Sequence, residues 1–151
     1  MQRDGDQRTK DDIAKYGCSV MHVFDPEGDL PPFAYSIGIQ RETGAPEVVV
    51  VGLKRPMAHS VINEYNSRVR DGEIFEVGKY YSGFLEGFDI CIGAVPLSVY
   101  DDYLGQDIDF YGGRDFQAVQ VIYPTTEGVW PWTNDAPESF LQWQPVLAKK
   151  G

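Results

Sequence analysis

Side chains able to do chemistry are few and scattered in this sequence. His22 and His59 are its two histidines, and Cys18 and Cys91 its two cysteines. Sulfur and imidazole together suit zinc, and Cys18 and His22 fall on the same side of a strand. Zinc sites usually show tight ligand pairs, and no short pair anchors this set, so no metal is expected. A nucleophile could be drawn from Ser36, Tyr35 or Cys18 with either histidine as base, but geometry decides such an assignment, not spacing. There is no phosphate-cradling glycine loop, H-E-x-x-H, G-x-S-x-G or EF-hand spacing. That removes the easily recognised enzyme classes, leaves open whether the chain is an enzyme, and gives no reason to expect a cofactor.

Two further clusters stand out. Residues 100–111 (YDDYLGQDIDFY) interleave Asp101, Asp102, Asp107 and Asp109 with four aromatics. Carboxylates there could chelate a hard cation, or present an acidic face with aromatic anchors to a basic protein. A solvated loop with its aromatics tucked inward is the plainer expectation. Residues 124–145 hold three Trp and four Pro, a rigid aromatic surface that either plugs a core or lines a pocket, with Gln120 and Gln144 beside it.

Positioning these groups falls to elements legible from periodicity. Residues 1–8 read as a disordered leader, and residues 9–151 as one α+β domain. Thr9 can cap a short helix over residues 10–16 that stops at Gly17. Residues 18–24 read as a strand. Residues 33–39 (FAYSIGI) alternate a large face with one of small residues only, which lets another backbone or a ligand approach closely. Residues 47–53 form an unbroken apolar run, a central strand covered on both sides. Residues 56–71 are the long helix, with Pro56 at its first position and Met57, Val61, Ile62, Tyr65 and Val69 as its apolar stripe. Strands follow at 73–77, 83–95 and 116–123, with a short helix from Ser98 to Leu104. Short loops between strands favour antiparallel pairing. The expectation is a mostly antiparallel sheet, with the option of a partial barrel, carrying one long and two short helices, with helices over one face.

Length and charge bound the rest. The 151 residues fit one domain with a sizeable core, and 42% hydrophobic content excludes a wholly disordered chain. The net charge of −10 disfavours nucleic acid, whose phosphates are held by Lys and Arg. The charge is uneven, since residues 71–138 hold 13 acids against Lys79 and Arg114. No secretory signal or membrane-length apolar run is visible, and two free, buried thiols suit a reducing compartment, so a cytoplasmic protein is expected.

Five ordered pieces carry a family resemblance: residues 33–39, residues 46–53 (PEVVVVGL), residues 120–124 (QVIYP), residues 128–132 (GVWPW) and residues 144–147 (QPVL). Together the chain resembles the mainly bacterial family called domain of unknown function 4262. The resemblance implies a small bacterial cytoplasmic domain, brings no established activity, and marks Tyr35, Ser36, Gly38, Glu47, Gln120, Pro124, Trp132 and Gln144 as pattern positions. Polar residues amid apolar strands need partners if buried. The leading expectation is therefore a non-catalytic binding or regulatory protein that meets a basic partner through Asp101, Asp102, Asp107 and Asp109. The alternative is a small-molecule, flavin-like binder or minor enzyme. Its pocket draws on His22, Tyr35, Ser36, Gly38, Glu47, Gln120, Trp132 and Gln144.

Overall fold

The computed structural model describes residues 2–150, with side chains from Gln7 onward. Its elements run α1 (Gln2–Tyr16), β1 (Ser19–Val23), β2 (Phe33–Ile37), α2 (Ile39–Thr43), β3 (Glu47–Val51), α3 (Arg55–Arg70), β4 (Tyr80–Leu85), β5 (Phe88–Ala94), α4 (Tyr100–Tyr103), α5 (Gly105–Tyr111), β6 (Ala118–Ile122) and α6 (Glu138–Trp143). Two short 3-10 turns, Leu97–Val99 and Leu147–Lys149, complete them.

Six strands form one sheet in the order β1-β2-β3-β6-β5-β4, antiparallel throughout except for the parallel pair β3–β6. β1 and β4 lie at opposite edges, so the sheet is open and not a barrel. The fold is α+β. β3 takes a central place, and alternation along it explains its uninterrupted valines. Val48 and Val50 enter one core with Ala58, Val61, Ile62 and Tyr65 of α3, whereas Val49 and Val51 enter a second with Tyr35, Tyr100, Leu104 and Leu147. Helices thus cover both faces, where one covered face was expected.

Several expectations shift for physical reasons. α1 begins at Gln2, so the helix runs through the segment read as a leader; Gln7 Nε2 donates to Asp11 one turn on, at 2.9 Å. Met1 lies outside the described residues. On α3 the buried stripe is Ala58, Val61, Ile62, Tyr65, Asn66 and Val69, and Met57 is exposed. Residues 73–77 form no strand. Glu73 instead pairs with Arg68, and the Phe75 ring plugs against Tyr65, Tyr81 and Phe84. The single strand read over 83–95 is a hairpin turning at Glu86 and Gly87, with Leu85 paired to Phe88. A two-residue loop with Gly at φ 82° suits such a turn. α5 and α6 bring the α-helices to six among the described residues, against three expected.

The end of β3 shows how tightly the C-terminal segment is seated. Gly52 has φ +91°, and a Cβ there would lie 2.5 Å from Tyr123 Oη and 2.9 Å from the Trp143 carbonyl oxygen. Both neighbours are fixed, since Tyr123 Oη donates to the Val51 carbonyl at 2.8 Å and Trp143 Nε1 to the Gly52 carbonyl at 3.0 Å. Gly52→Ala should therefore destabilise by about 2 kcal/mol or more in urea unfolding. Gly44→Ala, at φ +83° with nothing within 4 Å, should lose distinctly less. Equal losses would contradict the steric account.

Candidate functional site

Glu47 opens β3 as a fully buried carboxylate. Its chain neighbours force a dense set of donors around it. β2 ends at Ile37, and Gly38 adopts φ 103°, a left-handed turn that glycine makes without a Cβ clash. That turn aims successive amides of the α2 start at Glu47: Gly38 N to Oε2 at 3.1 Å, Ile39 N to Oε1 at 3.2 Å and Gln40 N to Oε2 at 3.1 Å. Ser36 Oγ donates to Oε1 at 2.7 Å and itself accepts from Val48 N at 3.0 Å. Tyr111 Oη, at the end of α5, donates to Oε2 and accepts from Arg41 N at 3.2 Å.

Burial pushes the Glu47 pKa up, and the hydrogen bonds from Tyr111, Ser36 and the Gln40 and Ile39 amides pull it back. Five donors converge on two oxygens. That arrangement suits an ionised carboxylate, which only accepts, and leaves a protonated acid nowhere to place its own hydrogen.

One turn before Tyr111 on α5 stands Asp107, also 0% exposed, and neither of its oxygens has a partner. Burial, and secondarily the charge on Glu47, raise its pKa to about 10. The two carboxyls are therefore driven apart: Glu47 holds the charge and Asp107 holds a proton at neutral pH.

The remaining pattern residues are also held from within. Gln120 Nε2 donates to the Pro145 carbonyl at 2.9 Å and its Oε1 accepts from Leu147 N at 3.0 Å. Gln144 returns the favour to the sheet, accepting from Tyr123 N at 3.0 Å and donating to the Tyr123 carbonyl at 2.8 Å. Between them the two amides fasten the C-terminal segment over β6. Tyr35 Oη accepts from Gln106 N at 3.0 Å, and burial raises its pKa to about 12.

Of the eight residues considered for one pocket, Ser36, Gly38 and Glu47 meet in the carboxylate cluster. Gln120 and Gln144 bind the C-terminal segment. His22 meets His59, with Nε2 and Nδ1 3.1 Å apart, in a groove lined by none of the other seven. Trp132 sits at the surface, 38% exposed, stacked on Trp130 at 5.3 Å and edge-on to Tyr80.

The acidic set is also divided. Asp102 and Asp109 are exposed, Asp101 holds Arg114, and Asp107 is inside the protein. Asp107 is thus removed from the acidic face. Residues 107 and 109 sit two apart on α5, where a helix turns them to different sides.

Among the described residues, no three metal-ligating side chains gather, and both cysteines are free and buried. Burial pushes the Cys18 thiol up to about 12, which leaves it protonated and poorly nucleophilic. Sequence reasoning missed Tyr111 as the fifth donor to Glu47. Its signal was the spacing of Leu104, Asp107, Ile108 and Tyr111, a helical stripe with one carboxyl in it.

Comparison with known proteins gives the family. The model of Domain of unknown function (DUF4262) matches residues 12–137, so the chain belongs to that family. No curated protein matches the sequence. Among solved structures, the chain is similar to one described as a SUFU (suppressor of fused protein) homolog from Neisseria gonorrhoeae. The identity is 14%, the match covers 83% of this chain and 80% of that one, and the TM-score is 0.48. Among the described residues, no helix is long and apolar enough to cross a membrane.

Asp107 makes the cluster pH-sensitive. The folded chain keeps a proton that the unfolded chain releases near pH 4, so folding binds protons and stability falls as pH rises from about 4 toward 10. Asp107→Asn, which mimics the neutral acid, should flatten that slope and raise Tm at about pH 8.5 more than at about pH 5. Thermal melts at both pH values check this, and an equal loss at each would refute it.

Proposed function

We propose that this protein is a non-catalytic binding protein that engages a basic protein partner through the acidic second half of its chain. One observation carries the reading. Tyr80, Trp130 and Trp132 form a partly exposed aromatic stack, with Tyr80 47% exposed and its ring 5.0 Å from Trp130. The stack belongs to residues 71–138, whose 13 acids face two bases. Both bases are already engaged: Lys79 pairs with Glu76, and Arg114 with Asp101. Apart from buried Asp107 and half-buried Glu73, the acids of this segment are exposed.

Aromatic rings supply contact area and take a guanidinium or ammonium on their faces, while uncompensated carboxylates steer a cationic partner and quicken its arrival. The polar residues that could have built a catalytic pocket instead use their hydrogen bonds on backbone and on one another, which supports binding over chemistry. Two free, buried thiols support a reducing compartment, and we place the protein in the cytoplasm on that ground.

A nine-residue arginine peptide is a defined probe, with tryptophan emission as the readout. Binding at low salt should change the emission and weaken steeply as salt rises. Trp132→Ala should weaken binding by about tenfold, and the Asp102→Asn, Asp109→Asn pair should reduce the salt dependence. Unchanged binding by Trp132→Ala, or no emission change at low salt, would overturn the reading.

A further inference from the structure

Both histidines of the chain meet although 37 positions separate them, one on β1 and one near the start of α3. Their ring centroids are 5.3 Å apart with planes only 13° from parallel, while the facing nitrogens are 3.1 Å apart. The rings therefore lie end to end and share one N–H···N hydrogen bond, with one ring donating and the other accepting. They stand in the wall of a groove of about 640 Å³ between α1, β1 and α3.

The charged residues of that groove differ from the rest of the molecule. Arg41, Arg68 and Arg114 each pair with a carboxylate, and Arg70 donates to the Tyr16 carbonyl. Among the described residues, Arg8 and Arg55 are the arginines with no ion pair or hydrogen bond, and both line this groove with His22, His59 and Asn63. In a chain of net charge −10, two unpaired guanidiniums converge on one hollow beside the two imidazoles.

We propose that this groove binds the phosphate group of a small anionic ligand, with Arg8 and Arg55 as the principal cationic contacts and the His22–His59 pair taking up a proton on binding. Guanidinium forks match phosphate oxygens, and two of them balance a dianion. The free pair holds one shared hydrogen bond. One added proton leaves that bond in place and puts hydrogen on both nitrogens outside it, His22 Nδ1 and His59 Nε2, which are then donors for an oxyanion.

The charged and titratable neighbours on every wall fit this assignment. On α1, Arg8 adds positive charge, Tyr16 closes one end, and Asp12 already accepts from Ser19 Oγ at 3.2 Å. Just before β1, Cys18 stays a neutral thiol. Burial, then Arg55 on α3, then His59 lower the pKa of His22, and an anion in the groove would oppose that. The overall acidity argues for a small ligand over a nucleic acid backbone.

Sulfate is the cleanest probe of the proton linkage, because its charge is constant from about pH 5 to 8, where imidazole titrates. Inorganic phosphate is the second. With two histidines in the chain, imidazole NMR signals report the pair without ambiguity. Both anions should bind the full-length protein with saturation below about 10 mM and shift both histidine signals. Sulfate should bind about tenfold more tightly at pH 6 than at pH 8, and Arg55→Gln and Arg8→Gln should each lose about tenfold. His59→Gln should keep residual binding but lose the pH dependence. Absence of saturation, affinity unchanged in Arg55→Gln, or sulfate binding equal at both pH values would overturn the proposal. So would zinc, and not sulfate, moving both signals.

Discussion

A buried carboxylate binds the parts of this molecule together. Glu47 draws in the end of β2 through Ser36, the start of α2 through three consecutive amides and the end of α5 through Tyr111. A full negative charge in an apolar interior is tolerated only when many donors replace the lost water. That requirement explains the local sequence. Gly38 is needed for the left-handed turn that points the amides inward, and Ser36 relays the interaction to the Val48 amide of β3. Asp107, next to this charge and without donors, takes the opposite protonation state. One site thus sets the seam where the long helix face and the acidic helix face of the sheet meet.

This arrangement occupies the interior pattern residues with structural hydrogen bonds. Glu47, Ser36, Gln120 and Gln144 are polar because the fold needs them, two at the carboxylate seam and two fastening the C-terminal segment. Elsewhere stand the Tyr80–Trp130–Trp132 stack amid acids, and the histidine pair beside Arg8 and Arg55 at the β1 edge. These two surfaces carry opposite charge and suit different ligands.

Strong periodicity was legible in the sequence. The β2 and β3 runs, the α3 stripe and the family pattern all placed elements within a few residues. What escaped was governed by single residues whose environment lies far along the chain. Asp107 looked like one more solvated acid in an acidic run, and reading it so hid the helix whose inner stripe it shares with Leu104 and Tyr111. Ile39 looked like the end of a strand, but Gly38 turns the chain into a helix there because Glu47, eight residues on, captures the amides. Phe75 looked like strand and is a plug, set by aromatic neighbours on α3 and β4. The proximity of His22 to His59 and the absence of partners for Arg8 and Arg55 are properties of packing, invisible at 37 residues' separation.

Hydrogen exchange at the Gly38, Ile39 and Gln40 amides tests most directly whether the Glu47 carboxylate organises this seam. Glu47→Gln keeps the side-chain volume but presents one amide nitrogen to donors that need an acceptor. Hydrogen bonds to charge of about 1.5–3 kcal/mol predict that these three amides exchange some 10- to 100-fold faster in the variant, while the Val119 and Val121 amides of β6 keep their protection. Unchanged exchange at all three would contradict the account, because the turn at Gly38 would then hold without the charge it encloses.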